Sequence, residues 1–206
     1  MRASPVKQNS TTTKALILIA ARRRFSHYGF SKVTMDEIAG ELGMGKASLY
    51  YYYRTKESLF QAVIVHEHGT FIKSISALLR EDMPASEKLR AYVEQRFEYF
   101  NTLMNLNILD LNSSVKAKPM LRATFDAFSR HELRLVRKII QEGNTGGEFG
   151  VGAIDKVAQA ILHIMQGLRC RFVRTMKGPV VDAKQYEHLR QEMCFVLEIF
   201  LRGIRR

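Results

Sequence analysis

Residues 34–53 read TMDEIAGELGMGKASLYYYY, and this stretch decides the fold. Thr34-x-x-Glu37 has the spacing of a capping box, in which a hydroxyl and a carboxylate each reach a backbone N–H left free at a helix start. Ile38, Ala39 and Leu42 then recur at helical spacing, and Gly43 stops the run. Beyond Leu42-Gly43-Met44 a second short helix is predicted from Gly45 to Tyr52. Two short helices joined by a glycine-containing turn make a helix-turn-helix. In that motif the second helix enters the major groove, and its early residues reach base edges.

The residues at those positions suit the task. Lys46 can donate to guanine O6 and N7 or to a phosphate, Ser48 can donate or accept, and Ala47 can pack on a thymine methyl. Gly45 lets backbone come close to DNA. Tyr50-Tyr51-Tyr52-Tyr53 cannot share one face, because neighbours on a helix are about 100° apart. Tyr50 and Tyr51 are expected on the DNA side, where a phenol can bond a phosphate, and Tyr53 in the core. Lys56 begins the next helix, where free N–H groups already favour an anion, so it is a candidate phosphate anchor. Thr34 is either a second such anchor or simply a cap.

Outward from this stretch the pattern stays helical. Residues 1–12 are polar and aperiodic and are expected to form a flexible arm. Thr13 can cap a helix through Tyr28, with Leu16, Ile17, Ala20, Ala21 and Phe25 as its apolar positions and Gly29 as its stop. A fourth helix starts near Thr55, where Thr55-x-x-Ser58 is a partial box, and runs to about Leu79. Pro84 opens a helix striped with Leu89, Tyr92, Val93, Phe97 and Phe100, and the asparagine-rich run Asn101–Asn112 breaks the rhythm. Pro119 opens another, with Leu121, Phe125, Phe128, Leu135, Val136 and Ile139. The glycine-rich loop 143–152 lacks the Lys-Ser/Thr of a phosphate loop and reads as a connector. Two long helices follow, Ala153–Met176 and Asp182–Arg202, parted by Gly178-Pro179. The expectation is an all-α chain of about nine helices: an arm at 1–12, a three-helix DNA-binding domain at 13–60 and a larger helical domain at 61–206.

Bulk properties agree. The 206 residues carry a net charge of +12. Half of it, +6, lies in residues 1–60, so charge density is more than twice as high at the N-terminal end, which suits contact with a polyanion and equally a solubilising surface. Cys170 and Cys194 have no metal-ligand or disulfide spacing, which fits a reducing cytoplasm. Ala15–Ala21 is too short for a signal peptide or a membrane span, and Arg22-Arg23-Arg24 stands where a cleavage site belongs. His66 and His68 are wrongly spaced for a shared metal, and no catalytic constellation, metal set or cofactor motif is visible, so no enzyme is expected.

From Thr13 to Phe60 the chain resembles the DNA-binding domain of the TetR family of bacterial transcriptional regulators. The resemblance is carried by Ala20-Ala21, Phe25, Tyr28-Gly29-Phe30, Thr34, Ile38-Ala39, Leu42-Gly43-Met44, Lys46 through Tyr53, Lys56-Glu57 and Leu59-Phe60. It covers about a quarter of the chain. It implies DNA contacts at Lys46, Ala47, Ser48, Tyr50, Tyr51, Tyr52 and Lys56, a phosphate contact at Thr34, a homodimer built on the last two helices, and a small-molecule pocket in the C-terminal domain. Gly45 departs from the family's frequent Ser, which removes a side-chain cap, and Tyr53 departs from its usual Phe.

The regulatory half is less legible. Stripes of Phe, Met, Ile and Leu suit an apolar or aromatic effector, and equally a plain helical core. The candidate effector residues are Arg96, Phe100, Phe125, Phe128, Met165 and Gln166, with Asn101, Asn105, Asn107 and His131 as weaker ones. Arg96 could pair an anionic ligand or a nearby acid such as Glu94 or Glu98. The last helix is apolar almost all round, so a second copy of the chain is expected to cover it. The expected interface is Ile161, Leu168, Phe172, Met193, Val196, Leu197, Phe200 and Leu201. The function expected is a repressor released from a palindromic operator by its effector.

Overall fold

The computed structural model describes residues 5–105, 117–176 and 182–206. Residues 1–4, the asparagine-rich run beyond Asn105 and Gly178-Pro179 lie outside the described residues. The described residues form eight α-helices: α1 (Pro5–Tyr28), α2 (Met35–Glu41), α3 (Lys46–Tyr52), α4 (Lys56–Leu78), α5 (Ala85–Asn105), α6 (Ala117–Thr145), α7 (Ile154–Thr175) and α8 (Ala183–Ile204). Among them the one non-helical pairing is an isolated bridge between Phe149 and Arg205. None of these helices is long and apolar enough to cross a membrane.

Two boundaries differ from the sequence expectation. Helix α1 starts at Pro5, so residues 5–12 are helical and Thr13 lies inside the helix instead of capping it. Proline costs nothing in a first turn, where its missing N–H has no partner to lose and its φ is already helical. The chain also divides elsewhere than at residue 60. One compact unit holds residues 1–69 and 101–125, and the other holds 70–100 and 126–206. The boundaries fall inside α4, α5 and α6, long helices that run past any division drawn between elements.

The first unit is built on ring packing. Phe25 of α1, Phe30 of the following loop and Phe60 of α4 meet with centroids 4.9–5.9 Å apart, mostly edge to face. Ile17, Ala21, Ile38, Leu49, Leu59 and Ile64 complete this core with no exposed surface. Each such large side chain contributes about 1.5–3 kcal/mol on burial. Glu41 at the end of α2 ties that helix to α1 through Arg24 (2.6 Å) and Arg23. Burial works against the Glu41 carboxylate, but the hydrogen bonds from Arg24 and Arg23 outweigh it and hold the acid below its ordinary range.

The second unit is closed by its loop. Gly143, in the last turn of α6, lies beneath the fully buried Phe149 ring, and a Cβ there would stand 2.1 Å from a ring carbon. Asn144 bonds the Val151 backbone in both directions (2.7 and 3.1 Å). Gly150 N–H donates to Ile204 at 2.8 Å and Arg206 N–H to Glu148 at 3.3 Å, which fastens the last turn of α8 to the loop. The Glu148 carboxylate accepts from the free N–H groups of Ala85 (2.7 Å) and Ser86 (3.2 Å), and so caps α5 from 63 residues away. The expected connector is thus also the knot that joins α5, α6 and α8. Along α5 and α8 the bidentate pair Arg90–Glu198 (2.6 and 3.0 Å) and Arg190 on Glu94 (2.9 Å) add two rungs.

Gly143→Ala is expected to destabilise the protein by about 1–3 kcal/mol, the usual cost of overpacking. Denaturant titration checks this, with Gly152→Ala as control, because a Cβ at Gly152 meets nothing within 4 Å.

Candidate nucleic-acid interface

The helix-turn-helix forms as the residues dictate. Thr34 Oγ1 accepts from Glu37 N–H at 3.2 Å, and the Glu37 carboxylate accepts from Thr34 N–H at 2.8 Å, so the box is complete. Those bonds, the backbone one first, hold the Glu37 carboxyl below its ordinary range. Helix α2 ends in bonds from Leu42, Gly43 and Met44 N–H to Ala39 and Gly40 carbonyls, at 3.0–3.1 Å. Gly43 sits at φ 61°, the left-handed region that L side chains avoid, and this sets the turn. Gly45 caps α3 with no side-chain bond, as its lack of a hydroxyl requires.

Helix α3 shows its residues to water. Lys46, Ala47, Ser48, Tyr50 and Tyr51 are exposed, Tyr51 at 83%, while Leu49 is fully buried. Tyr52 is half-buried with its ring edge-on to Tyr51, centroids 5.4 Å apart. Tyr53 is half-buried too, and burial raises its phenol pKa, in keeping with the core side expected for it. The Lys46 ammonium is held by Asp36 of α2 at 2.8 Å and lies 5.9 Å from the Tyr50 ring centroid. The hydrogen bond to Asp36 raises the Lys46 pKa, which keeps it a cation.

Lys56 is the clear departure. Its ammonium donates to the carbonyls of Phe30 (2.8 Å), Val33 (3.0 Å) and Ser31 (3.4 Å), and lies 4.4 Å from the Phe30 ring centroid. An ammonium has three protons, and all three are used inside the unit. Lys56 therefore clasps the α1–α2 loop to α4, where the sequence suggested a phosphate anchor. Nothing local in the sequence announces this, because the acceptors lie 23–26 residues away. The helix start itself is better capped than expected. Ser58 N–H bonds Thr55 Oγ1 at 3.0 Å and Thr55 N–H bonds Ser58 Oγ at 3.2 Å, so a serine hydroxyl closes the box.

In the second unit the candidate effector residues separate. Phe100, Phe128 and Met165 are buried there, while Phe125 belongs to the first unit. Gln166 is exposed, because its neighbour Met165 takes the inward face about 100° away. Arg96 pairs neither Glu94 nor Glu98 but Glu132 of α6, at 2.5 Å. His131 is half-buried, and Asn101 falls in the first unit.

The expected interface residues separate as well. Ile161, Met193, Leu197 and Leu201 are at most 2% exposed within one chain, so they are core. Leu168, Phe172, Val196 and Phe200 are half-exposed. The apolar surface left open lies elsewhere: Phe195 at 68% and Ile199 at 55%, one turn apart on α8, and Ile164 at 39% on α7. A count of apolar residues round the helix could not tell covered from open.

A family model described as bacterial regulatory proteins, tetR family, matches residues 17–63. The crystal structure of a transcriptional regulator from Cytophaga hutchinsonii shares 38% identity and a TM-score of 0.87, over 93% of this chain and 98% of that one. The chain belongs to the TetR family of bacterial transcriptional regulators. It carries that family's DNA-binding helix-turn-helix in α2 and α3. A TetR transcription regulator from Haloarcula marismortui has the same fold at 21% identity, with a TM-score of 0.75 over 95% of this chain and 100% of that one. The HTH-type transcriptional repressor NicS of Pseudomonas putida is 26% identical over 97% of this chain and 95% of its own.

Lys56→Met in this TetR-family regulator is expected to lower stability by about 2 kcal/mol, as loss of hydrogen bonds to a charged donor does. The slope of log affinity for DNA against log salt should stay unchanged; a slope shallower by about 1 would make Lys56 a phosphate contact after all. Glu37 gives a pH-dependent test. Its lowered pKa contributes stability above the ordinary carboxylate range, which is lost as pH falls through its folded value. Glu37→Gln should therefore flatten the acid limb of a melting-temperature profile.

Proposed function

We propose that this chain is a repressor that holds a palindromic operator as a homodimer and lets go when a small apolar or aromatic effector binds the second unit. The observation that carries the reading is the surface of α3. Five of its seven residues face water, and Leu49 alone is buried. Lys46, Ala47, Ser48, Tyr50 and Tyr51 read base edges and backbone, with Gly45 allowing close approach and Tyr52 bracing Tyr51. Thr34 offers its N-terminal turn to a phosphate while it caps α2. On DNA, Lys46 exchanges Asp36 for a base or phosphate. Both ends of that ion pair are more than half exposed, so breaking it costs little.

Two copies supply two reading helices. Phe195, Ile199 and Ile164, flanked by Leu168, Phe172, Val196 and Phe200, form the apolar surface for the second copy. A two-fold dimer requires half-sites about 34–36 Å apart or a multiple of that. An effector that binds better to a dimer with another spacing lowers operator affinity by population shift. Helix α4 is continuous from Lys56 to Leu78 and is the lever. Phe100, Phe128 and Met165 suit an apolar or aromatic body. The repressor sign rests on the likeness to NicS, a repressor by name.

Genomic footprinting tests the reading, which fails if protection is uniform and no two-fold motif emerges. The double variant Lys46→Ala/Tyr51→Ala should lose at least tenfold in operator affinity and keep its fold by circular dichroism. Phe195→Glu/Ile199→Glu should sediment as a monomer.

A further inference from the structure

The second unit encloses an imbalance of charge. Arg96 of α5 and Arg169 of α7 stand around one carboxylate, Glu132 of α6, and the three groups interact electrostatically. Glu132 is 3% exposed, and the Arg96 side chain is 11% exposed. Their ion pair at 2.5 Å accounts for one cation and the one anion. The Arg169 guanidinium has the Phe100 ring 5.9 Å away and no ion-pair partner among the described residues. Arg169 is half-buried, and a guanidinium partly drawn from water without a counter-charge is costly. Burial first, and repulsion from Arg96 second, push Arg169 down to about 9 against the pull of Glu132.

A third group points the same way. Tyr92 is 1% exposed and its hydroxyl finds no acceptor. Burial, and next the Glu132 charge, raise its pKa, so it stays a protonated donor beside both guanidiniums. An unpaired cation and an unused O–H donor together ask for an anionic oxygen. The surroundings are flat and apolar. Phe100 meets Phe172 at 6.2 Å, and Phe172 meets Tyr186 at 5.6 Å. On the other side the Arg96 guanidinium lies over Phe71 and Tyr99, which stack at 5.0 Å.

We propose that Arg169 and Tyr92 receive the carboxylate of a small aromatic acid, with the Arg96–Glu132 pair holding the site in shape and Phe100 and Phe172 taking the ring. The inference rests on the reading of this unit as the effector-binding part, and it names the effector's chemical class. Selectivity follows from charge. The acid neutralises Arg169, whereas the matching amide leaves that cation as it was. Arg169 follows Met165 by four residues and Ile161 by eight, so its spacing puts it in line with the apolar stripe of α7.

The experiment is titration calorimetry on the full-length protein with benzoate and 1-naphthoate against benzamide and 1-naphthamide. The acids should bind at least tenfold more tightly than their amides. Arg169→Gln should erase that preference, and Arg169→Lys should keep part of it. Arg169→Gln should also melt no lower than the parent, because it removes an uncompensated cation; a purely structural arginine would melt lower. Acids that bind no better than amides, no binding of either acid at 1 mM, or full acid binding by Arg169→Gln each overturn the proposal. The same four compounds in an operator-release assay separate the two readings. Release by the amides alone sinks the acid site and leaves the effector mechanism standing. Acid binding that depends on Arg169 without release of DNA does the opposite.

Discussion

A helix of seven residues does not hold its shape in water, because the cost of the first turn outweighs the few bonds that follow. Helix α3 is that short, and the reading surface of this regulator depends on how it is held. Leu49 is its one buried anchor. The turn at Gly43 sets its direction from α2, and α2 is itself fixed by the Thr34–Glu37 box at one end and by Glu41 on Arg23 and Arg24 at the other. The Lys56 clasp holds the loop before α2 against α4. None of these devices uses the outward side chains of α3, among which Lys46 is paired only with the exposed Asp36.

The second unit solves the same problem on a longer scale. Its helices are long enough to be stable once packed, so the difficulty lies in bringing distant segments together. The loop after α6 does this with three contacts of different kinds. Phe149 fills the space that Gly143 leaves, Glu148 caps α5, and the backbone of residues 148–150 bonds the end of α8. With that knot in place, charged pairs between α5 and α8 occupy the rim, and the interior can hold the Arg96–Glu132 pair.

How much was legible depended on the range of the interaction. The capping box, the glycine turn and the apolar periodicity of α2 to α4 are local, and they stand in the structure where the residues put them. Lys56 at a helix start looks like an anion site, and only its acceptors 23–26 residues away show its ammonium engaged within the fold. Gln166 is exposed one step round the helix from the buried Met165, and Phe125 lies in the first unit. Ile161, Met193, Leu197 and Leu201 were read as interface because apolar character does not say which neighbour covers it.

The sequence by itself determined the all-helical class, the helix-turn-helix and the family, since these follow from contacts within a few residues and from hydrophobic period. The tertiary structure decided which face of α8 is core and which is open. It decided that Lys56 is a clasp, and that Arg96 takes Glu132 and leaves Arg169 without an anion. Those outcomes turn on distances between residues far apart in the chain, where a charge or an apolar side chain acquires its role from whatever is folded against it.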